Sequence, residues 1–339
     1  MAPKRPTLAD VARAAAVSTA TISRALNAPD AVAPDTRARV DAAIARLGYT
    51  PNPAGRMLAS ARSTIVGAVI PSLSNAMFSN GLDAFQQTLS EAGLTMLVAN
   101  SNYDPAHELH QIRALLDNGA GALMLIGAER PQETIDYMTL RRVPYVLTWC
   151  WQADPAQLYA GFDNEKAAFA IATRVLEHGH RDIAMIAGVS AGNDRAAARI
   201  AGVRRAVATF GRGARLLAVA EARYLLDDAA RAFDAVMAGP VRPTAIIGGS
   251  DVLAARAVVA ARAIGLDVPR DLSVTGFDDI GLAQVSHPAL TTVHVPQAEM
   301  GRAAALLLVA KLHGKTALHS VEFAAEIVMR GSLAPPPAR

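Results

Sequence analysis

The sequence predicts a small all-α headpiece joined to an α/β body of two doubly wound parallel-sheet subdomains. Three observations carry that reading. Near-continuous apolar runs of strand length alternate with helical segments from residue 63 onward, the pattern of a parallel sheet covered on both faces. Roughly eight such units are too many for one small sheet, so two subdomains are expected. Charge is uneven: residues 1–62 carry +5, the remainder −2, for +3 over 339 residues. A basic module on a slightly acidic body is the footprint of a nucleic-acid-binding head.

Composition narrows the classes. With 52% hydrophobic and 19% charged residues the chain can bury large cores and is not disordered. Cys150 is the only cysteine, which excludes a disulfide framework and a Cys-cluster metal site. The segment Met1-Ala-Pro-Lys-Arg-Pro6 is not an apolar leader, and a cytoplasmic location is expected. The longest uncharged stretch, Ser63 to Leu82, holds Pro71, Ser72, Ser74, Asn75 and Asn80, polar groups that hydrocarbon would strand, so no membrane partner is expected.

In the head, Thr7 is placed to cap a helix with Asp10 in its first turn. Ala15-Ala16-Val17 makes a tight connection, and Ser18 caps a second helix running to about Leu26. A third starts at Pro34 or Asp35, keeps Val40, Ile44 and Leu47 at helical spacing, and stops at Gly48. This is a helix-turn-helix unit, whose second helix enters the major groove by its N-terminal end. Short hydroxyls there suit phosphates, and Arg24 suits bidentate reading of guanine. The plainer reading is a helical bundle with a fortuitous basic face.

Thr7-Leu-Ala-Asp-Val-Ala-Arg-Ala-Ala-Ala-Val-Ser-Thr-Ala-Thr-Ile-Ser-Arg-Ala-Leu-Asn27, followed by Leu47-Gly-Tyr-Thr-Pro-Asn52, resembles the headpiece of the LacI/GalR family of bacterial transcription regulators. The resemblance implies that Thr19, Ala20 and Arg24 face bases while Thr7, Ser18, Thr21, Ser23 and Asn27 hold phosphates. Ala20 stands where many relatives carry a longer polar reader. Residues 53–61 span about two turns and include Gly55, too short and too weak to be helical alone. Relatives use this stretch as a hinge helix that wedges a leucine into the minor groove; Leu58 and Ala59 fall at those positions. A flexible linker is the bland alternative. The division implied is a headpiece over 1–50, a hinge over 51–62 and an effector and dimerisation domain over 63–339. Within that domain, one subdomain takes about 63–161 and 293–320, the other about 162–292 and 321–331.

In the body, strands are expected at Ile65–Ile70, Met96–Ala99, Ala122–Ile126, Tyr145–Leu147, Ile183–Ala187, Ala245–Gly248 and Leu272–Gly276. Helices are expected near 79–92, 105–118, 131–140, 164–178, 194–210, 227–238, 251–264 and 297–312. Ligands bind such folds outside the carboxyl ends of the strands. Gly161-Phe-Asp-Asn164, His178-Gly-His-Arg181, Arg199-Ile-Ala-Gly202, Gly276-Phe-Asp-Asp279 and Pro288-Ala-Leu-Thr-Thr292 resemble the periplasmic-binding-protein-like effector domain of the same family, and the first of them looks most like gluconate-operon repressors. That resemblance implies effector contacts at Phe78, Asn100, Trp149, Asp163, Arg199, Ser250 and Asp278. Each has a plainer role: Phe78 in the core, Trp149 under a loop, Arg199 paired to an acid.

No Gly-x-Gly-x-x-Gly follows the first strand, and neither a Walker-type Gly-Lys-Ser/Thr nor a Gly-x-Ser-x-Gly elbow occurs. His178 and His180 lack a third ligand at metal spacing, and Cys150 between two tryptophans reads as an inert thiol. The chain is therefore expected to be no enzyme and to hold no metal and no cofactor. A ligand-responsive repressor is expected: a homodimer on a pseudo-palindromic double-stranded operator, released by a sugar or sugar acid, with Arg199 as a fork for carboxylate or vicinal hydroxyls. The alternatives are a corepressor-dependent regulator that binds a nucleobase and a cytoplasmic small-molecule-binding protein. The closing Pro335-Pro336-Pro337 cannot continue a helix, so no tail-mediated tetramer is expected.

Overall fold

The computed structural model describes residues 6–50, 63–154 and 156–338. The chain divides into two units, Met1–Ser63 and Thr64–Arg339. In the first, α1 (Leu8–Ala15), α2 (Thr19–Asn27) and α3 (Pro34–Leu47) pack around Val11, Ala15, Ile22, Ala25, Val40 and Ala43. Thr7 caps α1 through a reciprocal box: its hydroxyl accepts from the Asp10 N–H, and Asp10 accepts from the Thr7 N–H. Ser18 caps α2 by accepting from the Thr21 N–H at 3.1 Å. Gly48 ends α3 at φ +59°, a conformation that glycine reaches without a Cβ penalty. The expected hinge helix, with Leu58 and Ala59, lies outside the described residues.

The second unit has two lobes. In the first, six parallel strands run in the order β11-β5-β4-β3-β1-β2: β1 (Ile65–Ile70), β2 (Thr95–Asn100), β3 (Ala120–Ile126), β4 (Tyr145–Thr148), β5 (Tyr159–Gly161) and β11 (Val321–Glu322). Helices α4 (Ser79–Glu91) and α12 (Gln297–Leu312) cover one face, burying Phe85, Leu89, Met300 and Leu308. Helices α5 (Pro105–Asp117) and α6 (Gln132–Leu140) cover the other with Ile112, Leu115 and Met138. Gly81 and Gly301 let α4 and α12 nearly touch, since a Cβ on Gly301 would overlap the Gly81 carbonyl oxygen.

The other lobe has four parallel strands, β7-β6-β8-β9: β6 (Asp182–Gly188), β7 (Arg215–Ala222), β8 (Ala245–Gly248) and β9 (Ser273–Thr275). Helices α7 (Asn164–Glu177) and α8 (Asp194–Phe210) lie on one face, α9 (Leu226–Met237) and α10 (Asp251–Ala263) on the other. An antiparallel ribbon of β10 (Thr292–His294) and β12 (Glu326–Val328) sits where the chain passes between lobes.

Strands β5, β7, β10, β11 and β12 and the short α11 (Gly281–Val285) are additions to the sequence-based expectation. Two boundaries also move. Val321 and Glu322 pair with β5 and so belong to the first lobe, which the sequence reading ended at 320. The tail is part of the body: Ser332 is buried, and the Ala334 carbonyl accepts from Ser273 Oγ at 3.0 Å.

Candidate functional site

In the first unit, the start of α2 presents Ser18, Thr19, Ala20 and Arg24 exposed, with Thr21 and Ser23 half-buried beside them. Inward-facing Ile22 and Ala25 hold the helix against α1 and α3, which fixes the outward direction of the rest. Thr7 and Ser18 accept from helix N–H groups, and the Thr7 hydroxyl donates to Asp10 Oδ2 at 2.7 Å. The side chain of Asn27 lies outside the described residues.

In the second unit, a cleft opens at the carboxyl ends of the strands, where a parallel sheet is expected to bind ligands. A cavity of about 440 Å³ is lined by Ser72 and Ser74 after β1, Asn102 and Tyr103 after β2, Asn193 after β6, and Arg223 and Tyr224 after β7. Tyr103 and Tyr224 stack across it, 5.7 Å between centroids and 29° between planes. The Ala128 N–H donates to Asp194 Oδ2 at 2.6 Å, a second bridge between the lobes. Five non-glycine residues on the surrounding loops have positive φ: Asn102 (+55°), Tyr103 (+59°), Trp149 (+58°), Asp278 (+106°) and Asp279 (+53°). Such strain gathers where function over-determines the backbone.

Arg199 stands at the centre of a buried polar network. Nε donates to Asn164 Oδ1 at 2.9 Å, one terminal nitrogen to the Gly249 carbonyl at 2.7 Å, and the other lies 3.2 Å from Asp278 Oδ1. The guanidinium carbon sits 3.7 Å from the centroid of the Phe277 ring. Asn164 in turn donates to the Trp149 carbonyl at 2.8 Å. Arg199 and Asp278 thus form a buried ion pair. Burial pushes the Asp278 carboxyl up to about 6, and the Arg199 charge opposes that rise.

Asp251 buckles the Asp278 loop in place. Its N–H donates to the Phe277 carbonyl at 2.7 Å, while its carboxyl accepts from the Ile280 N–H at 2.8 Å and from Thr292 Oγ1 at 2.5 Å. Burial, then the nearby Asp278 charge, push its carboxyl up to about 8. Asp279 ties the same loop to the ribbon, accepting from Arg330 at 2.6 Å and lying 3.0 Å from His294 Nδ1.

The structure thus brings together Arg199, Asp278 and the Trp149 carbonyl, with Phe78 edge-on to Trp149 at 5.4 Å. Phe78 and Trp149 are both fully buried, and Ser250 is spent capping α10. Asn100 braces Asn102, donating to its Oδ1 at 2.6 Å. Asp163 does not join them. It caps α7 by accepting from the Lys166 N–H and borders a separate groove with Glu322 and Phe323. A helix cap and a ligand contact use the same residue type, which is why the sequence misplaces it. The sequence reading passed over Tyr103, Arg223 and Tyr224 as contacts. The latter two follow β7, an alanine-rich edge strand ending in Glu221-Ala222, and recognising that strand would have pointed to them.

Cys150 is buried, and burial pushes its thiol up to about 12, so it is no nucleophile at neutral pH. His180 is held by Thr244 and the Ala334 carbonyl, and His178 by the Arg174 carbonyl. Among the described residues no group of His, Cys, Asp and Glu is placed to hold a metal, and no helix is long and apolar enough to cross a membrane.

Comparison with known proteins adds to this geometry. The profile of bacterial regulatory proteins of the lacI family matches residues 7–52, and that of a periplasmic binding protein-like domain matches residues 172–333. Over 315 residues the chain is 30% identical to catabolite control protein A of Priestia megaterium, covering 93% of this chain and 95% of that protein. It is 31% identical over 327 residues to the HTH-type transcriptional repressor CytR of Escherichia coli K12, covering 96% of each. A crystal structure of a LacI-family transcriptional regulator from Silicibacter pomeroyi superposes with a TM-score of 0.88 at 26% identity, covering 97% of this chain and 99% of that one.

Proposed function

The chain belongs to the lacI family of bacterial regulatory proteins, and we propose that it represses a carbohydrate-utilisation operon and releases it when a small hydroxylated effector enters the cleft. The observation that carries the DNA half is the exposed N-terminal face of α2, with Arg24 outward and Ile22 locked inward. Arg24 reads a base bidentately, Thr19 and Ala20 pack on neighbouring bases, and Thr7, Ser18, Thr21, Ser23 and Asn27 hold phosphates. Leu58 and Ala59, outside the described residues, are assigned to the minor groove on their sequence positions alone.

Two headpieces are needed for a pseudo-palindrome. Support for a second copy comes from apolar side chains that one chain leaves in water: Leu73 (67% exposed), Leu226 (58%), Val259 (58%) and Val285 (80%), together with the unpaired edge of β2. The cleft supplies the switch, since a ligand that binds one arrangement of the lobes better than another shifts their equilibrium.

The test is a titration of the full-length protein against DNA from upstream of its own gene at fixed salt. Arg24→Ala is expected to weaken specific binding by about 2–6 kcal/mol, taking about 1–3 per bidentate contact and two contacts per dimer. Binding to unrelated DNA should change little, because phosphate contacts persist. Specific affinity unchanged by Arg24→Ala would remove the assignment. Effector that tightens operator binding would reverse the sign of the switch.

A further inference from the structure

We propose that the outer face of α7 and α8 is a docking site for a short acidic segment of a partner protein. None of the residues that form this face lines the cavity of the cleft, so the proposal stands apart from the effector reading.

The face is a groove with an apolar floor. Two cavities of about 640 and 500 Å³ share Phe169, Thr173 and Glu177, and so run into one another along the exposed side of α7. Phe169 and Ala170 on α7 and Phe210 at the end of α8 make the floor, each half-buried. From Lys166 to Glu177 the helix advances about 16 Å, room for about five residues of extended chain.

Charge selects the occupant. Five basic side chains line the groove against two acidic ones, Asp163 and Glu177, although residues 63–339 as a whole carry −2. Arg205 is paired with Glu165 at 2.9 Å and Arg174 with Glu177 at 3.7 Å. The other three, Lys166, Arg181 and Arg212, have no carboxylate within ion-pair distance among the described residues. Arg181 and Arg212 instead share one ring, 5.0 and 5.6 Å from the centroid of Phe210. Two like charges on one ring repel, and a carboxylate set between them removes that repulsion. Arg212 is held there at φ +50°, a conformation rare for a residue with a Cβ, between Gly211 (+62°) and Gly213 (+75°). A nucleic acid suits the groove less well. It carries a phosphate at every step, so Asp163 and Glu177 oppose it. The rings on which bases stack are already covered, Phe169 by Arg205 at 4.5 Å and Phe210 by its two arginines. A peptide sets apolar side chains on the floor and carboxylates only where the unpaired cations stand.

The experiment is fluorescence anisotropy of the full-length protein with three labelled probes: a decapeptide with Leu at every third position and Glu elsewhere, its counterpart with Gln for Glu, and single-stranded DNA of the same length. The Glu peptide is expected to bind at least about tenfold tighter than the Gln peptide at low salt, and to loosen as salt is raised. Lys166 and Arg212 are exposed, and Lys166→Glu with Arg212→Glu should weaken the Glu peptide at least about tenfold. Operator affinity, carried by the headpiece, and tryptophan fluorescence should stay as in the wild type. A Glu peptide that does not bind, or that binds the reversed variant equally well through the basic headpiece, overturns the proposal. DNA whose binding falls with the charge reversal as far as the peptide's does makes the face a nucleic-acid surface and overturns it too. If the reversed variant does not fold, Lys166→Gln with Arg212→Gln decides by the same comparison, with an expected loss of at least about threefold.

Discussion

Replacing Asp251 by asparagine should change how stability depends on pH far more than it changes stability at pH 5. The carboxyl is fully buried, and its pKa is about 8 in the folded chain against an ordinary 3.8. Below the ordinary value both folded and unfolded chains hold the proton. Between the two values only the folded chain does, so unfolding releases a proton and stability falls as pH rises. One proton corresponds to about 1.4 kcal/mol per pH unit, or about 2.7 kcal/mol between pH 5 and pH 7. An amide keeps both contacts without titrating: its oxygen accepts from the Ile280 N–H and its nitrogen donates to Thr292 Oγ1. The facing charged groups, Asp278, Asp279, Arg199 and Arg330, are common to both proteins and cancel to first order. Urea unfolding can be followed by tryptophan fluorescence, since Trp149 and Trp151 are the only tryptophans and both report on the second unit. The stability of Asp251→Asn minus that of the wild type should grow by about 2–3 kcal/mol from pH 5 to pH 7. Parallel profiles would refute the argument, because they would mean that the buried carboxyl is ionised throughout or carries no linked proton.

Arg199→Met should destabilise the second unit by about 3–5 kcal/mol, measured by the same unfolding assay, because it leaves Asp278 buried without its cation. The loss should be smaller at pH 5 than at pH 8, since protonation of Asp278 relieves the uncompensated charge. Gly301→Ala should lower the thermal midpoint of the second unit while leaving far-ultraviolet circular dichroism unchanged, because the added methyl forces α12 away from the Gly81 carbonyl. An unchanged midpoint would show that the helix pair has slack.

Much of the body was legible because strands buried on both faces must be apolar throughout. Ile65–Ile70 and Ala245–Gly248 lie where the sequence placed them for that reason. Helices 194–210 and 297–312 were equally plain from their periodicity. The ribbon strands β10 and β12 and the two-residue β11 carry no such signal, since each is short and at least partly exposed. The site divides along the same line. Arg199 and Asp278 sit in stretches with a recognisable pattern. The tyrosine pair comes from two loops more than a hundred residues apart that follow edge strands of different sheets, and only the packing of one lobe against the other brings them together. Asp251 was invisible for a different reason. An acid in the first turn of a helix reads as a complement to the helix dipole, and nothing local reveals that Thr292 and Ile280 close over it.

The route of the chain between lobes has a consequence for synthesis. The first lobe is begun by β1 through β5 but lacks α12 and β11, which follow only after the four sheet strands of the second lobe have been made. Until then Phe85 and Leu89 on α4 have no partner helix to cover them. At ribosomal rates of about 5–20 residues per second, the 130 or so intervening residues hold that apolar face open for on the order of ten seconds. The second lobe is contiguous from β6 to β9, so its sheet can form before the first lobe receives α12 and β11, and only the closing tail around Ser332 is added to it later. A chain terminated before residue 297 should therefore expose Phe85 and Leu89 on α4 and aggregate, where the full chain buries them under α12.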